Sequence, residues 1–190
     1  DRASDDFCDS HGNPAGKSVD IEALADRAPG HGVPRIVDNT VATPALIKPI
    51  QWGADVVVNS LTKYMGGHGN SLGGVIVDGG EFPWADYPEK FHMLNEPDES
   101  YHGVVYTEAL GAAAYIGRVR TVPLRNTGAA LSPHNAFLIL QGLETLGLRM
   151  ERHCENAEKL ARYLSEHEKI EWVIDAAQPD SPQNETCRRI

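Results

Sequence analysis

Apolar and polar residues follow one another in blocks whose spacing predicts a series of strands and helices. The apolar run at 33–37 predicts a strand, and the continuous valines within 55–60 predict a second strand that is buried on both faces. A helix is predicted between them over 44–52, and a third strand over 73–77 follows a glycine-rich loop. Strands and a helix in this order are typical of a βαβ unit with parallel strands.

The segments around this unit are less regular. Residues 1–18 are polar and contain glycine and proline, which predicts a loop, and 19–28 has the pattern of a short amphipathic helix. Three prolines predict an irregular surface segment over 79–104, and the alanine-rich stretch 107–119 predicts a helix. A further short strand is predicted over 170–174.

A long helical stretch is predicted from Ser132 to about His167. Ser132 is a suitable N-cap, and Pro133 fits the first helical position. Gly142 and Gly147 are expected to divide the stretch into two helices. The second of these carries an apolar stripe at helical spacing: Leu146, Met150, Cys154, Ala157, Leu160, Ala161 and Leu164.

Composition excludes several classes of protein. The 190 residues carry 17 Lys and Arg against 27 Asp and Glu, a net charge of −10, and no basic run exceeds two, so we expect no nucleic-acid partner. No apolar run reaches the ~18 residues of a membrane span. Three widely spaced cysteines without a CxxC motif indicate reduced thiols and a cytoplasmic location, and the histidines lack metal-binding spacing.

Candidate chemistry follows two of the predicted strands. Asp38 ends the first strand, and Ser60, Thr62 and Lys63 follow the second. Ligands bind at the carboxyl ends of parallel strands, where a desolvated lysine becomes a nucleophile toward carbonyls. Two hydroxyls on a turn can hold a phosphate, and a carboxylate can pair with a protonated ring nitrogen. These are the parts of a pyridoxal-phosphate (PLP) site.

Simpler interpretations stay open for the same residues. Lys63 fits a solvated lysine in a turn, and Asp38 fits the N-cap of the next helix. Ser60 and Lys63 also have the Ser-x-x-Lys spacing of penicillin-recognising enzymes, but the companion motifs of those enzymes do not occur. The loop Gly66–Gly69 lacks the ending of a P-loop.

Longer motifs resemble one enzyme family, the PLP enzymes of Cys/Met metabolism, and within it the O-acetylhomoserine sulfhydrylase branch. The resemblance extends over about 12–182. It rests on the segments Ile36–Thr40, Gly53–Tyr64, Gly66–Gly69, Gly73–Gly80, Leu131–Phe137, Gln141–Leu146 and Arg149–His153.

The resemblance implies a role for each candidate. Lys63 matches the lysine that binds PLP as an internal aldimine and carries protons, Asp38 matches the partner of the ring nitrogen, and Ser60 and Thr62 match phosphate contacts. Two further contacts enter only through the resemblance. They are Asn13, near the cofactor's 3-hydroxyl, and Thr40, beside the ring.

The resemblance also implies an incomplete α/β fold of the fold-type-I PLP-dependent transferases. A partial large domain, with a mostly parallel sheet between helices, is expected over 1–145. A linker helix and the start of a small domain are expected over 146–190. The family's glycine-rich phosphate loop and its carboxylate-binding arginine match no segment, so we expect a central fragment.

The implied reaction is the sulfhydrylation of O-acetyl-L-homoserine. Sulfide or methanethiol replaces acetate after γ-elimination and gives homocysteine or methionine. The same residues would serve cystathionine γ-synthase or γ-lyase chemistry. A further alternative is a catalytically incomplete fragment that binds only cofactor or partner subunits. The family is usually a homotetramer, so a homo-oligomer is expected.

Overall fold

A four-stranded sheet organises the part of the chain that the computed structural model describes, residues 5–12, 16–27 and 32–189. Its strands, in spatial and chain order, are β1 (Asp6–Asp9), β2 (Arg35–Asp38), β3 (Val56–Ser60) and β4 (Gly74–Asp78). The first three are parallel and β4 is antiparallel to β3. The predicted βαβ unit is therefore confirmed for β2 and β3.

The expectation of a loop over 1–18 is wrong for the described part of that range. It contains β1 and a short hairpin between His11–Gly12 and Lys17–Ser18. Strand β1 has only two apolar residues between aspartates, too few for a periodic signal. Pairing with β2 stabilises it, together with the hydrogen bond from the Asp6 amide to the carbonyl of Pro34 (3.0 Å).

The helix predicted between β2 and β3 is divided. It consists of α2 (Thr43–Leu46) and a 3₁₀ turn, Pro49–Trp52. Proline lacks an amide hydrogen and disfavours a helical residue before it, so the helix cannot continue through Pro49. Gly53 then ends the turn at φ 93°. The helix predicted over 19–28 is present as α1 (Ile21–Arg27).

Short helical pieces fill the segment after the sheet, which confirms the irregularity expected over 79–104. The expectation of a surface segment is wrong, because Trp84, Phe91 and Leu94 are buried in a largely aromatic cluster. The helix expected over 107–119 is interrupted at Gly111, which has φ 53°. The α-helical pieces are α3 (His92–Asn95), α4 (Tyr106–Leu110), α5 (Ala114–Val119) and α6 (Arg125–Thr127). The 3₁₀ turns are Trp84–Asp86, Glu99–Tyr101 and Gly111–Ala113, and Arg120–Leu124 is a π-helical turn.

Two long helices follow, α7 (Pro133–Glu144) and α8 (Leu146–Ser165). The Ser132 hydroxyl accepts a hydrogen bond from the Asn135 amide (3.1 Å), which confirms the predicted N-cap. The break lies at Thr145, between the two glycines expected to cause it. The predicted apolar stripe is buried at Leu146 and Met150, whereas its distal part at Leu160 is 56% exposed.

The strand predicted over 170–174 is wrong. This segment is irregular and pairs with no strand of the described chain, and Trp172 and Ile174 are largely exposed. A few apolar residues define a strand only where an edge is available for pairing. The described chain ends in α9 (Asn184–Arg189).

Buried apolar residues form three clusters. One lies between α1, the β2–β3 connection and the sheet: Ile21, Val37, Ala42, Ile47, Ala54 and Val57. A second joins the turn after β3 to α7 and α8: Leu61, Met65, Ile139, Leu146 and Met150. The third is largely aromatic and stabilises the short helices: Trp84, Phe91, Leu94, Tyr106 and Ala114.

Candidate functional site

The ends of β2 and β3 place two candidate residues on one face of the sheet. Asp38 lies opposite Val58 in the parallel register, and Ser60 is two residues beyond Val58. Because side chains alternate along a strand, Asp38 and Ser60 point to the same side. Asn59 points to the other side and is buried.

Thr40 connects these two strand ends. Its hydroxyl accepts a hydrogen bond from the Ser60 amide (2.7 Å), and its own amide donates to Oδ1 of Asp38 (2.8 Å). The Asp38 carboxylate is thus oriented by local backbone, and the end of β3 is fixed against the loop after β2. Thr40 therefore organises the edge of the sheet, a role that motif matching does not reveal.

Two buried polar residues, Ser10 and Asn39, also hold the loop after β2 in place. The Ser10 hydroxyl donates to Oδ1 of Asn39 (2.7 Å), and Nδ2 of Asn39 donates to the carbonyl of Ile47 (2.9 Å). Both Ser10 and Asn39 are almost fully buried. Buried polar groups with satisfied partners make a connection rigid, so Asp38 and Thr40 stand on a fixed base.

Lys63 lies at a kink in the turn Leu61–Met65, directly after β3, and its own backbone angles (φ −90°, ψ −129°) are not helical. The Gly66 amide donates to the carbonyl of Leu61 (2.9 Å) and the Gly67 amide to the carbonyl of Lys63 (2.8 Å). The Lys63 side chain is exposed, and its amine makes no hydrogen bond or ion pair to the described residues.

The Thr62 hydroxyl has a structural partner. It accepts a hydrogen bond from the Gly73 amide (3.1 Å) and donates to the Gly73 carbonyl (3.3 Å). Thr62 thereby joins the lysine turn to the residue that precedes β4. The Ser60 hydroxyl, in contrast, bonds to no group in the described ranges.

A cavity of about 770 Å³ opens beside the lysine turn. It brings together Lys63 and Thr40, two of the predicted site residues, with residues of α8. Asp38, Ser60 and Thr62 lie at the same sheet edge but not in the wall of this cavity, and Asn13 lies outside the described residues. The cavity wall consists of Thr40, Val41, Lys63, Tyr64, Gly67, Gly69, Leu148, Arg149, Arg152 and His153.

The residues of α8 in the wall of this cavity are not among those predicted from the sequence. Arg149, Arg152 and His153 have the spacing of one helix face, which was a usable signal. Their charge nevertheless suggests a solvated surface, and only the packed structure turns that face toward the lysine. The His153 ring lies 5.2 Å from the ring of Tyr64, centroid to centroid.

The described part of the chain contains no group of side chains suited to a metal ion and no membrane-spanning helix. No group of three His, Cys, Asp or Glu side chains there has the proximity to hold a metal ion. Helices long and apolar enough to cross a bilayer are likewise missing from those residues. Cys8, Cys154 and Cys187 are all free thiols.

Comparison with known proteins decides the family. The model of the Cys/Met metabolism PLP-dependent enzymes matches residues 6–190. The chain belongs to this family. The homocysteine/cysteine synthase of Kluyveromyces lactis is 47% identical over 184 residues, which cover 96% of this chain and 41% of that protein. The O-acetyl-L-homoserine sulfhydrylase of Leptospira meyeri is 48% identical over 175 residues, 88% of this chain and 39% of its own length.

A solved structure shows the same fold. It is a Campylobacter jejuni protein assigned as O-acetylhomoserine (thiol)-lyase and carries N'-pyridoxyl-lysine-5'-monophosphate. It superposes with a TM-score of 0.88 at 38% identity and covers 96% of this chain and 44% of that one. The chain thus contains part of a fold-type-I, PLP-dependent α/β fold, as expected. It spans about two fifths of the length of the curated Cys/Met-metabolism enzymes that it matches.

Proposed function

We propose that this chain supplies the lysine-bearing part of a PLP site in an enzyme that sulfhydrylates O-acetyl-L-homoserine. The arrangement at the sheet edge supports the proposal most directly. Lys63 lines a cavity, and Asp38 and Ser60 lie on one face of the neighbouring strand ends, where Thr40 bonds to both. The names of two similar proteins, a homocysteine/cysteine synthase and an O-acetyl-L-homoserine sulfhydrylase, support the reaction class.

The donor groups fit the chemistry of PLP. An amine can attach to its aldehyde carbon, and the Asp38 carboxylate can pair with its protonated ring nitrogen. The Ser60 hydroxyl is available to a phosphate. Thr62 can redirect its long 3.3 Å donation from the Gly73 carbonyl to a phosphate oxygen and still accept from the Gly73 amide. The cavity volume lies within the ~300–1,000 Å³ usual for small-molecule sites.

Lys63 and Asp38 would have different roles in the reaction. When bound, PLP supplies a ring that accepts the negative charge developing at the substrate Cα. Lys63 would hold the cofactor through Nζ and carry protons to and from the substrate. Asp38 would maintain positive charge on the ring nitrogen. Overall, the bond from the γ-carbon to the acetyl oxygen breaks and a bond to sulfur forms, so hydrogen sulfide and O-acetyl-L-homoserine become homocysteine and acetic acid.

Attachment of the cofactor tests the assignment of Lys63. The purified chain is incubated with PLP and reduced with borohydride, and the labelled peptide is mapped by mass spectrometry. We expect stoichiometric label on Lys63, no site-specific label in Lys63→Ala, and parental labelling in the control Lys48→Ala, whose side chain is exposed outside the cavity. Equal label on several surface lysines, or unchanged label in Lys63→Ala, would contradict the proposal.

Product analysis tests the reaction itself. With O-acetyl-L-homoserine and sulfide we expect homocysteine and acetate in equal amounts. Conversion of cystathionine instead would assign γ-lyase chemistry, and formation of cystathionine from cysteine would assign the γ-synthase. Label on Lys63 without turnover would identify a catalytically incomplete part of such an enzyme. Methanethiol as sulfur donor, a homotetramer and a cytoplasmic location remain predictions of the family resemblance.

A further inference from the structure

The side chain of Arg149 grips the backbone of the turn that holds the candidate lysine. Nη1 donates to the carbonyl of Tyr64 (2.7 Å), and Nη2 donates to the carbonyls of Gly142 (2.7 Å) and Met65 (3.4 Å). Nε donates to the hydroxyl of Thr145 (3.1 Å), at the break between α7 and α8. One guanidinium therefore joins the lysine turn to the end of α7 and the start of α8, some eighty residues later in the chain.

Two glycines make room for this contact. A Cβ on Gly67 would lie 2.6 Å from the Arg149 guanidinium carbon, and Gly67 has φ 72°, where side chains are disfavoured. A Cβ on Gly142 would lie 2.0 Å from the carbonyl oxygen of Gly66. The turn and α7 thus approach backbone to backbone, and the guanidinium occupies the space beside them.

The lysine turn has carbonyls at its end that need partners from outside it. It is only five residues long, and carbonyls at the end of a helical segment lack partners within it. A positive fork at that end satisfies two carbonyls at once and complements their partial negative charge. Arg149 is suited to this because its guanidinium is planar and presents donors in fixed directions, whereas a lysine amine has no such fork.

We propose that Arg149 is a positioning residue for Lys63. By fixing the carbonyls of Tyr64 and Met65 it sets the direction in which the lysine amine enters the cavity. Arg149 acts on the backbone that follows Lys63, and needs no contact with substrate or cofactor to do so. The inference rests on the proposed function, since Lys63 must be the attachment point of the cofactor. The clamp, by which we mean the hydrogen bonds from Arg149 to the lysine turn, can be tested without cofactor.

Amide hydrogen exchange of the cofactor-free chain is the first test. The Gly66 and Gly67 amides report on the turn because they bond to its carbonyls. In Arg149→Gln and in Arg149→Lys we expect their exchange to accelerate by about tenfold, while amides of Val56–Ser60 keep the parental rate. The control is Arg162→Gln, which removes an exposed α8 arginine. Among the described residues this arginine pairs only with Glu158, so its replacement should change neither set of amides.

Labelling with PLP and borohydride is the second test. In both Arg149 variants we expect the occupancy of Lys63 to fall about fivefold relative to surface lysines, as loss of orientation requires. A parent chain that shows no label on Lys63 would overturn the proposed function, whereas the exchange measurement would still decide the clamp.

Three results would overturn the role of Arg149. Unchanged exchange at Gly66 and Gly67 would show that the turn does not depend on the guanidinium. Equal acceleration in β3 would show that Arg149 only stabilises the whole fold. Full recovery of exchange and labelling in Arg149→Lys would show that positive charge alone suffices, so that the fork geometry is irrelevant.

Discussion

Replacing Gly142 by alanine should destabilise the chain although alanine is the better helix former. The new Cβ would lie 2.0 Å from the carbonyl oxygen of Gly66 and 2.7 Å from its carbonyl carbon. Both are backbone atoms, so no side-chain rotation relieves the contact, and α7 must move from the lysine turn by more than an ångström. Overpacking of this kind costs about 1–3 kcal/mol, and the gain in helix propensity returns at most about 1 kcal/mol. We expect a net loss of about 1–2 kcal/mol.

Urea unfolding followed by circular dichroism measures this difference. The matched control is Gly147→Ala, in α8, where a Cβ meets no atom of the described chain within 4 Å. That variant should be more stable than the parent by up to about 1 kcal/mol. The reasoning is refuted if Gly142→Ala is as stable as the parent or is stabilised like Gly147→Ala.

Two predictions concern titrating groups. A hydrogen bond from the Ala23 amide lowers the pKa of the Asp20 carboxyl, and Arg189 lowers it further. A carboxyl whose pKa is lower in the folded chain than in the unfolded chain (~3.9) stabilises the fold at pH values above the unfolded pKa. This stabilisation is lost as the pH falls through the folded pKa. Asp20→Ala should therefore unfold at a lower urea concentration than the parent at neutral pH, and the difference between their urea midpoints should become smaller below about pH 4. A difference that does not change with pH would count against this. Burial raises the pKa of the Cys8 thiol, and two neighbouring aspartates raise it further. Because the thiolate is the reactive form, iodoacetamide should alkylate Cys8 more slowly than free cysteine at neutral pH, as peptide mass spectrometry can check, and an equal or faster rate would disprove it.

The central strands were predictable because they consist of consecutive apolar residues, which indicate burial on both faces. Val56, Val57 and Val58 indicate a strand covered on both faces, and β3 is found there. The strand β1 was missed because its ends are charged and its stability comes from pairing with β2. The strand predicted over 170–174 failed for the opposite reason: it has apolar residues but pairs with no strand of the described chain.

The candidate site divides in the same way. Asp38, Ser60 and Lys63 were placed at one sheet edge from chain order alone, since parallel strands present their carboxyl ends together. Arg149 was not predicted, although its helical spacing with Arg152 and His153 was a usable signal. Its partners are backbone carbonyls, which have no signature in the sequence, and charged residues of an amphipathic helix usually face solvent.

The strand ends and the lysine turn should be sensitive to substitutions in different parts of the chain. The strand ends are held by short-range bonds, chiefly those of Thr40, and depend on residues within the βαβ unit. The lysine turn is held by contacts from α7 and α8: Leu61 and Met65 pack in one cluster with residues of both helices, and Arg149 bonds to its carbonyls. Substitutions at the α7–α8 break should therefore change the position of Lys63 and leave Asp38 in place. Residues of α7 and α8, some eighty positions later in the chain, thus contact the lysine turn through both packing and hydrogen bonds.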